Sequence, residues 1–163
     1  MKLFIAQGFG SGRASRAPGT FGSLVGLMWF ALLLLPGNAW AFILGVLAST
    51  AAAVWLCGEA EKILGTHDPG SVVLDEIIAL PICFAAPLVF HTLHHGFPNL
   101  AQCLHSWPWW WFPAIFAAFR FFDIAKPWPV KQSQRLPGGL GVVADDVIAA
   151  LWVNAISLPV LAF

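Results

Sequence analysis

Three short segments of this chain gather side chains able to handle a phosphate group and a hard cation. The first, His67-Asp68-Pro69-Gly70-Ser71-Val72-Val73-Leu74-Asp75-Glu76, packs three carboxylates and a histidine into ten residues. The second runs from Arg120 to Pro129, with Arg120, Asp123 and Lys126 at three-residue spacing, which puts them on one helix face. The third, Pro137 to Asp146, ends in the adjacent carboxylates Asp145 and Asp146. Each has an ordinary explanation as well. Asp75 and Glu76 would lie in the first turn of a helix, where the dipole favours acids by about 0.3–1 kcal/mol. Arg120 and Asp123 can pair within their helix while Lys126 snorkels, and a helix cap accounts for one of Asp145 and Asp146.

Three acidic clusters meeting on one face suit Mg²⁺, which takes oxygen ligands, keeps several waters and bridges to substrate phosphate. Arg120 and Lys126 supply positive charge for phosphate oxygens. The pattern points to phosphoryl chemistry at a membrane surface, with a lipid phosphate as substrate. Other phosphatase chemistries lack their residues. Cys57, Cys83 and Cys103 have no Arg six positions later, there is no Asp-x-Asp pair, and the basic and histidine motifs of membrane acid phosphatases are absent. Gly8-Phe9-Gly10-Ser11-Gly12 has no Gly-Lys-Ser/Thr ending and is not a Walker A loop. Its amides could still face an anion. The three cysteines, in apolar surroundings without Cys-x-x-Cys spacing, read as buried inert thiols.

What must position these groups is a membrane. The chain is 59% hydrophobic and only 10% charged, against about 25% charged in soluble domains. Its charges are confined to residues 2–16, 59–76 and 120–146, and the stretches 17–58, 77–119 and 147–163 carry none. The formal net charge of zero excludes the basic footprint of a nucleic-acid binder. The opening residues hold too short an apolar run for a secretory signal. No linker divides the chain, so residues 1–163 read as one all-α, membrane-embedded bundle of four to five hydrophobic helices with a polar active face at one end. Turn signals at Leu35-Pro36-Gly37-Asn38 and His94-His95-Gly96-Phe97-Pro98-Asn99 predict helices over 22–35, 39–57, 76–93, 107–123 and 146–163. Five crossings, against roughly 20 residues needed per span, put every Lys and Arg on one side, which the positive-inside rule makes cytoplasmic. A re-entrant first hairpin would give four. Trp40, Trp107, Trp109, Trp110 and Trp111 fall at the other end, as an interfacial belt. His91, His94, His95 and His105 lie there too and read as interfacial polar residues.

The motifs Gly8-Phe9-Gly10-Ser11-Gly12, Pro18-Gly19-Thr20-Phe21-Gly22-Ser23, His67-Asp68-x-Gly70-Ser71 with Asp75-Glu76, Phe119-Arg120-x-x-Asp123-x-x-Lys126-Pro127-Trp128-Pro129, and Gly138-Gly139-x-Gly141 with Asp145-Asp146 occur in this order. In that order the chain resembles the phosphatidylglycerophosphatase A family of bacterial Mg²⁺-dependent lipid phosphatases. Leu74 stands where an aromatic residue is familiar, and Arg13 and Arg16 fall outside the motifs. The resemblance implies hydrolysis of the terminal phosphomonoester of phosphatidylglycerophosphate to phosphatidylglycerol and inorganic phosphate, at the bacterial inner membrane. It implies Mg²⁺ held among Asp75, Glu76, Asp123, Asp145 and Asp146. His67, Asp68, Asp75, Asp123 and Lys126 are the candidate catalytic residues, and Arg120, Lys126, Thr20 and Ser71 the candidate phosphate ligands. Partners are then the lipid phosphate and the bilayer; the sequence leaves the oligomeric state and the nucleophile (water or a carboxylate) open. The alternatives are a phosphatase for another lipid phosphate, such as phosphatidic acid or an isoprenoid phosphate, and a small non-enzymatic membrane protein. The last would carry ionisable residues inside its spans, where this chain has almost none.

Overall fold

A computed structural model of the protein describes residues 1–161, and among these the regular structure is entirely helical. The order is α1 (Lys2–Ala6), a 3₁₀ turn (Gly8–Arg13), α2 (Pro18–Leu34), α3 (Ala39–Leu64), α4 (Leu74–Cys83), α5 (Ala85–His95), α6 (Leu100–Ser106), α7 (Trp111–Ala125), α8 (Val130–Ser133) and α9 (Gly139–Leu161). Three segments are long and apolar enough to cross a membrane: Ala39–Leu64, Leu74–His95 and Gly139–Leu161. Pro18–Leu34 is a shorter apolar helix. Both predicted turns are present. Asn38 caps α3 by accepting the Ala41 N–H at 3.0 Å, and Asn99 and Gln102 form a reciprocal capping box on α6.

Glycine sets how closely the helices approach. A Cβ on Gly26 of α2 would come within 3.0 Å of the Ile77 carbonyl of α4, the carbonyl that Pro81 leaves without an intrahelical donor. On the other side of the bundle, a Cβ on Gly139 would overlap the Val54 carbonyl and the Gly58 amide of α3. The start of α9 therefore lies backbone-to-backbone against α3, and this contact brings Asp145 and Asp146 inward.

The third pass is a broken helix. Its ladder stops at Phe84, between Pro81 and Pro87, and the side chain of Asn154 on α9 enters the gap. Asn154 accepts the Ala86 N–H at 2.6 Å and donates to the Ile82 carbonyl at 2.8 Å. These are the donor and acceptor that would pair in an unbroken helix, so the amide is inserted into the ladder. In hydrocarbon such a pair cannot be left to water. Buried aromatic rings fill the same level: Phe84 stacks on Phe30 with centroids 4.2 Å apart, and Trp107 and Phe112 pack beside it.

Several boundaries differ from the expected ones. α9 begins at Gly139 rather than 146, because Gly138 (φ +58) turns the chain and Gly139 and Gly141 dock closely. Asp145 and Asp146 thus sit in the second turn of the helix, which removes the capping explanation for either. α3 continues past 57 to Leu64 and carries Glu59, Glu61 and Lys62 on its last turns. The helix expected at 107 starts at Trp111, after the separate turn α6. Trp111 is buried core and not part of a belt, whereas Trp40 and Trp109 are exposed. His91 is likewise buried, its Nδ1 3.1 Å from the Gly96 carbonyl, so it is not an interfacial residue. The three cysteines are buried and free.

Replacing Asn154 by Leu orphans the Ile82 and Ala86 groups or lets the ladder reclose and displaces α5. The expected cost is about 1–3 kcal/mol, read as a lowered thermal midpoint in detergent. An unchanged midpoint would show that the amide contributes nothing to the break.

Candidate active site

The carboxylates gather where α4, α7 and α9 meet. Asp123 lies in the last turn of α7, and Asp145 and Asp146 lie on α9; their carboxylate oxygens are within 4.8 Å of one another. Asp145 is 3% exposed and Asp146 2%. Among the described residues the Asp146 carboxylate has no basic partner at ion-pair distance. Asp75, on the first turn of α4 and also buried, accepts the Glu76 N–H at 3.0 Å and lies within electrostatic range of Asp145 and Asp146.

Two cations serve these five acids. Arg120 places Nη1 2.7 Å from Asp123 and 3.4 Å from Glu76, and the same nitrogen reaches the Ser23 hydroxyl at 3.4 Å. The arginine thus ties α7 to α4 and α2, and the expected Arg–Asp pair within α7 is present but is part of a larger contact. Glycine at position 19 permits it: a Cβ there would overlap Glu76 Oε1 and come within 2.9 Å of the Arg120 guanidinium. Glu76 Oε2 and Arg120 Nε remain buried without hydrogen-bond partners among the described residues. Lys126, in left-handed backbone at the end of α7 (φ +43), places Nζ 2.6 Å from Asp145 Oδ2. Burial pulls Lys126 toward its neutral form, but the hydrogen bond and charge of Asp145, with Asp68 and Asp123 behind it, outweigh that and hold it above the ordinary lysine range.

The donor set fits a divalent cation that prefers oxygen. Three carboxylates converge, one of them without a counter-charge, and five acids face two cations. Burying uncompensated carboxylates is costly, and a cation among them removes that cost. Of the five expected ligands, Asp123, Asp145 and Asp146 form the compact group; Asp75 and Glu76 flank it, Glu76 being turned to Arg120.

The other expected site residues occupy the rim. His67 is directed at Glu61, with Nδ1 2.6 Å from Oε1, and that oxygen also accepts the Asp68 N–H at 2.9 Å. Asp68, held at φ +47, reaches the acidic group through Gln134, whose Nε2 donates to Asp68 Oδ2 at 3.1 Å and to Asp145 Oδ2 at 3.0 Å. Thr20 is half-buried on the first turn of α2, with its N–H bonded to the Ala17 carbonyl. Ser71 accepts from Gln7, which in turn accepts from Arg13, so the glycine-rich turn is fastened to the His67–Ser71 loop. Gln134, Gln7 and Glu61 are residues to which sequence reasoning gave no role, and Ser23 was quoted only within a motif. Nothing in the sequence around Gln134 marks it.

Comparison with known proteins agrees with this architecture. The profile of the family described as phosphatidylglycerophosphatase A matches residues 4–161. A phosphatidylglycerophosphatase A of Haemophilus influenzae is 36% identical over 149 residues, covering 91% of this chain and 81% of the relative. That of Escherichia coli is 34% identical over 149 residues, covering 90% and 76%. A Bacteroides thetaiotaomicron relative, named for a proposed phosphatidylinositol-3-phosphatase activity, is 36% identical over 156 residues, covering 93% and 88%. No solved structure gives a significant match. By the extent of the profile match and the identity to these relatives, the chain belongs to the phosphatidylglycerophosphatase A family of phosphatases.

Proposed function

We propose that this protein hydrolyses the terminal phosphomonoester of phosphatidylglycerophosphate, releasing phosphatidylglycerol and inorganic phosphate, with Mg²⁺ held by Asp123, Asp145 and Asp146. The observation that carries the reading is the convergence of these three carboxylates, from two helices, at the one end of the bundle that carries the chain's Asp, Glu, Lys and Arg residues. When bound there, Mg²⁺ would supply Lewis-acid stabilisation of the phosphoryl group and make water a better nucleophile. Lys126, protonated at physiological pH, stands beside Asp145 and would counter charge on the phosphoryl oxygens. Arg120 acts through Asp123, about one turn on in α7, and Glu76 of α4, fixing their orientation, and its role is therefore positioning rather than direct phosphate contact. Asp68, at the mouth, is placed to take a proton, and Gln134 holds its distance to Asp145. Asp75, buried on the first turn of α4, would offer the bound cation a further carboxylate oxygen.

The membrane setting agrees with this chemistry. A lipid substrate can leave its acyl chains in the bilayer while only its headgroup enters the site. Every Lys and Arg belongs to segments at the carboxylate end, so we place that end at the cytoplasmic face of the bacterial inner membrane. The Bacteroides relative's name favours keeping a second reading open within the same chemistry, a phosphomonoester on another membrane lipid.

Phosphate release from phosphatidylglycerophosphate should stop with EDTA and return with Mg²⁺; activity that survives chelation would remove the cation from the mechanism. Phosphatidic acid and phosphatidylinositol 3-phosphate should be poorer substrates in the same assay, and equal rates would leave only the broader lipid-phosphatase reading. Gln134→Leu should lower activity or Mg²⁺ affinity by roughly 10–100-fold, as loss of outer-shell support typically does, and Asp146→Asn should cost more than that. Wild-type rates in Asp146→Asn would exclude the carboxylate group as the site. Reporter tags should place the N-terminus in the cytoplasm and, for five crossings, the C-terminus outside; two internal termini would mean that one pass does not cross.

A further inference from the structure

At the end of the bundle away from the carboxylates, α5, α6, α7 and α9 surround a cavity of about 430 Å³. Its lining includes the aromatic rings of Phe90, Trp107 and Trp111 and the polar side chains of His95, Gln102 and Ser106. Phe90 and Leu161 also belong to the wall of a second hollow, which runs between α5 and α9 over Val89, Leu93, Leu151 and Leu158. The cavity and this apolar groove therefore adjoin, with Phe90 and Leu161 common to both. Asn154 belongs to the groove's lining, and its polar atoms are consumed by the helix break described above.

The polar wall is different. The Gln102 carbonyl oxygen is engaged by the Asn99 N–H, which leaves its NH₂ group directed elsewhere. His95, Gln102 and Ser106 are exposed, and among the described residues neither the His95 ring nor the Ser106 hydroxyl has a protein hydrogen-bond partner, so their donors face outward. The His91 ring packs against His95, centroids 5.2 Å apart, and closes the inner end. Val89 and Leu93, on the groove's edge, are 59% and 78% exposed. In a bundle with three membrane-length helices, that edge meets hydrocarbon, while His95, Gln102 and Ser106 lie at the level of the connecting segments, where headgroups are.

We propose that this cavity and groove together bind one phospholipid of the far leaflet. The phosphodiester would be held by the donors of His95, Gln102 and Ser106, the headgroup would rest against Trp107, and one acyl chain would lie along α5 and α9. The occupant follows from the lining: N–H and O–H donors and aromatic rings in the cavity, and a largely apolar trough adjoining it. A free phosphate uses only the first of these and a hydrocarbon only the last. The site is separate from the carboxylate centre, and its existence does not depend on the activity proposed there.

The test is native mass spectrometry of full-length protein taken from vesicles containing equal amounts of palmitoyl-oleoyl phosphatidylethanolamine and dioleoylglycerol. The wild type should retain one phosphatidylethanolamine and no dioleoylglycerol. Retention should fall roughly fivefold or more in His95→Leu and again in Ser106→Ala, as for loss of one net hydrogen bond. Val89→Trp, which fills the groove, should also lose the lipid, while Asp146→Asn, at the other centre, should keep it. Phosphatase activity near the wild-type level in the His95 and Ser106 variants would verify that they are folded; should Val89→Trp be inactive, those two decide the matter. Equal retention of dioleoylglycerol, or full phosphatidylethanolamine retention in both His95→Leu and Ser106→Ala, would overturn the proposal.

Discussion

Burying more negative than positive charge at one end of an apolar bundle is the constraint around which this protein is organised. Asp145 and Asp146 are almost completely enclosed, Asp75 is buried beside them, and Glu76 and Asp123 share a single arginine. Isolated ionised carboxylates in such surroundings cost several kcal/mol each. The structure answers with two cations and with a gap between three carboxylates of a size and donor type suited to a third. Neither Arg120 nor Lys126 reaches Asp146, and the proposed cation would supply its counter-charge.

The approach of the helices that carry these acids is set by absent side chains. Gly19 leaves room for the Glu76–Arg120 contact, Gly26 lets α2 lie on the Ile77 carbonyl, and Gly139 allows α9 to meet α3 backbone to backbone. Farther along the bundle, the Asn154 amide fixes α9 to the break between α4 and α5. One helix, α9, thus contributes two carboxylates at one end and a polar clip in its middle. The register of the acidic site and the bend of the broken helix are coupled through it.

Much of this was legible before any coordinates. Confinement of charge to three segments gave an all-helical membrane bundle with one polar end, and the turn signals at Pro36-Gly37 and Gly96 fell where the chain reverses. Asp75, Glu76, Asp123, Asp145 and Asp146 were named together from their types and from a family resemblance. The order in which they assemble was not legible. Glu76 faces Arg120 because Gly19 leaves a space there, a fact of packing between residues far apart in sequence. Asp145 and Asp146 looked like a helix start because Gly138 and Gly139 read as loop, whereas close contact with α3 begins the helix at Gly139. Gln134 and Asn154 act through single side-chain amides with no periodic or motif signal. Trp111 and His91 were assigned to the interface from residue type, and packing against α9 and α5–α6 buries them instead.

The account stands on a cation bound by Asp123, Asp145 and Asp146, and direct binding tests it without reference to turnover. Mn²⁺, an octahedral oxygen-seeking ion like Mg²⁺, can be titrated into purified protein and followed by electron paramagnetic resonance. Saturable binding that Mg²⁺ displaces and that Asp146→Asn abolishes is the predicted result. No saturable binding, or binding equally strong in Asp146→Asn, would contradict it.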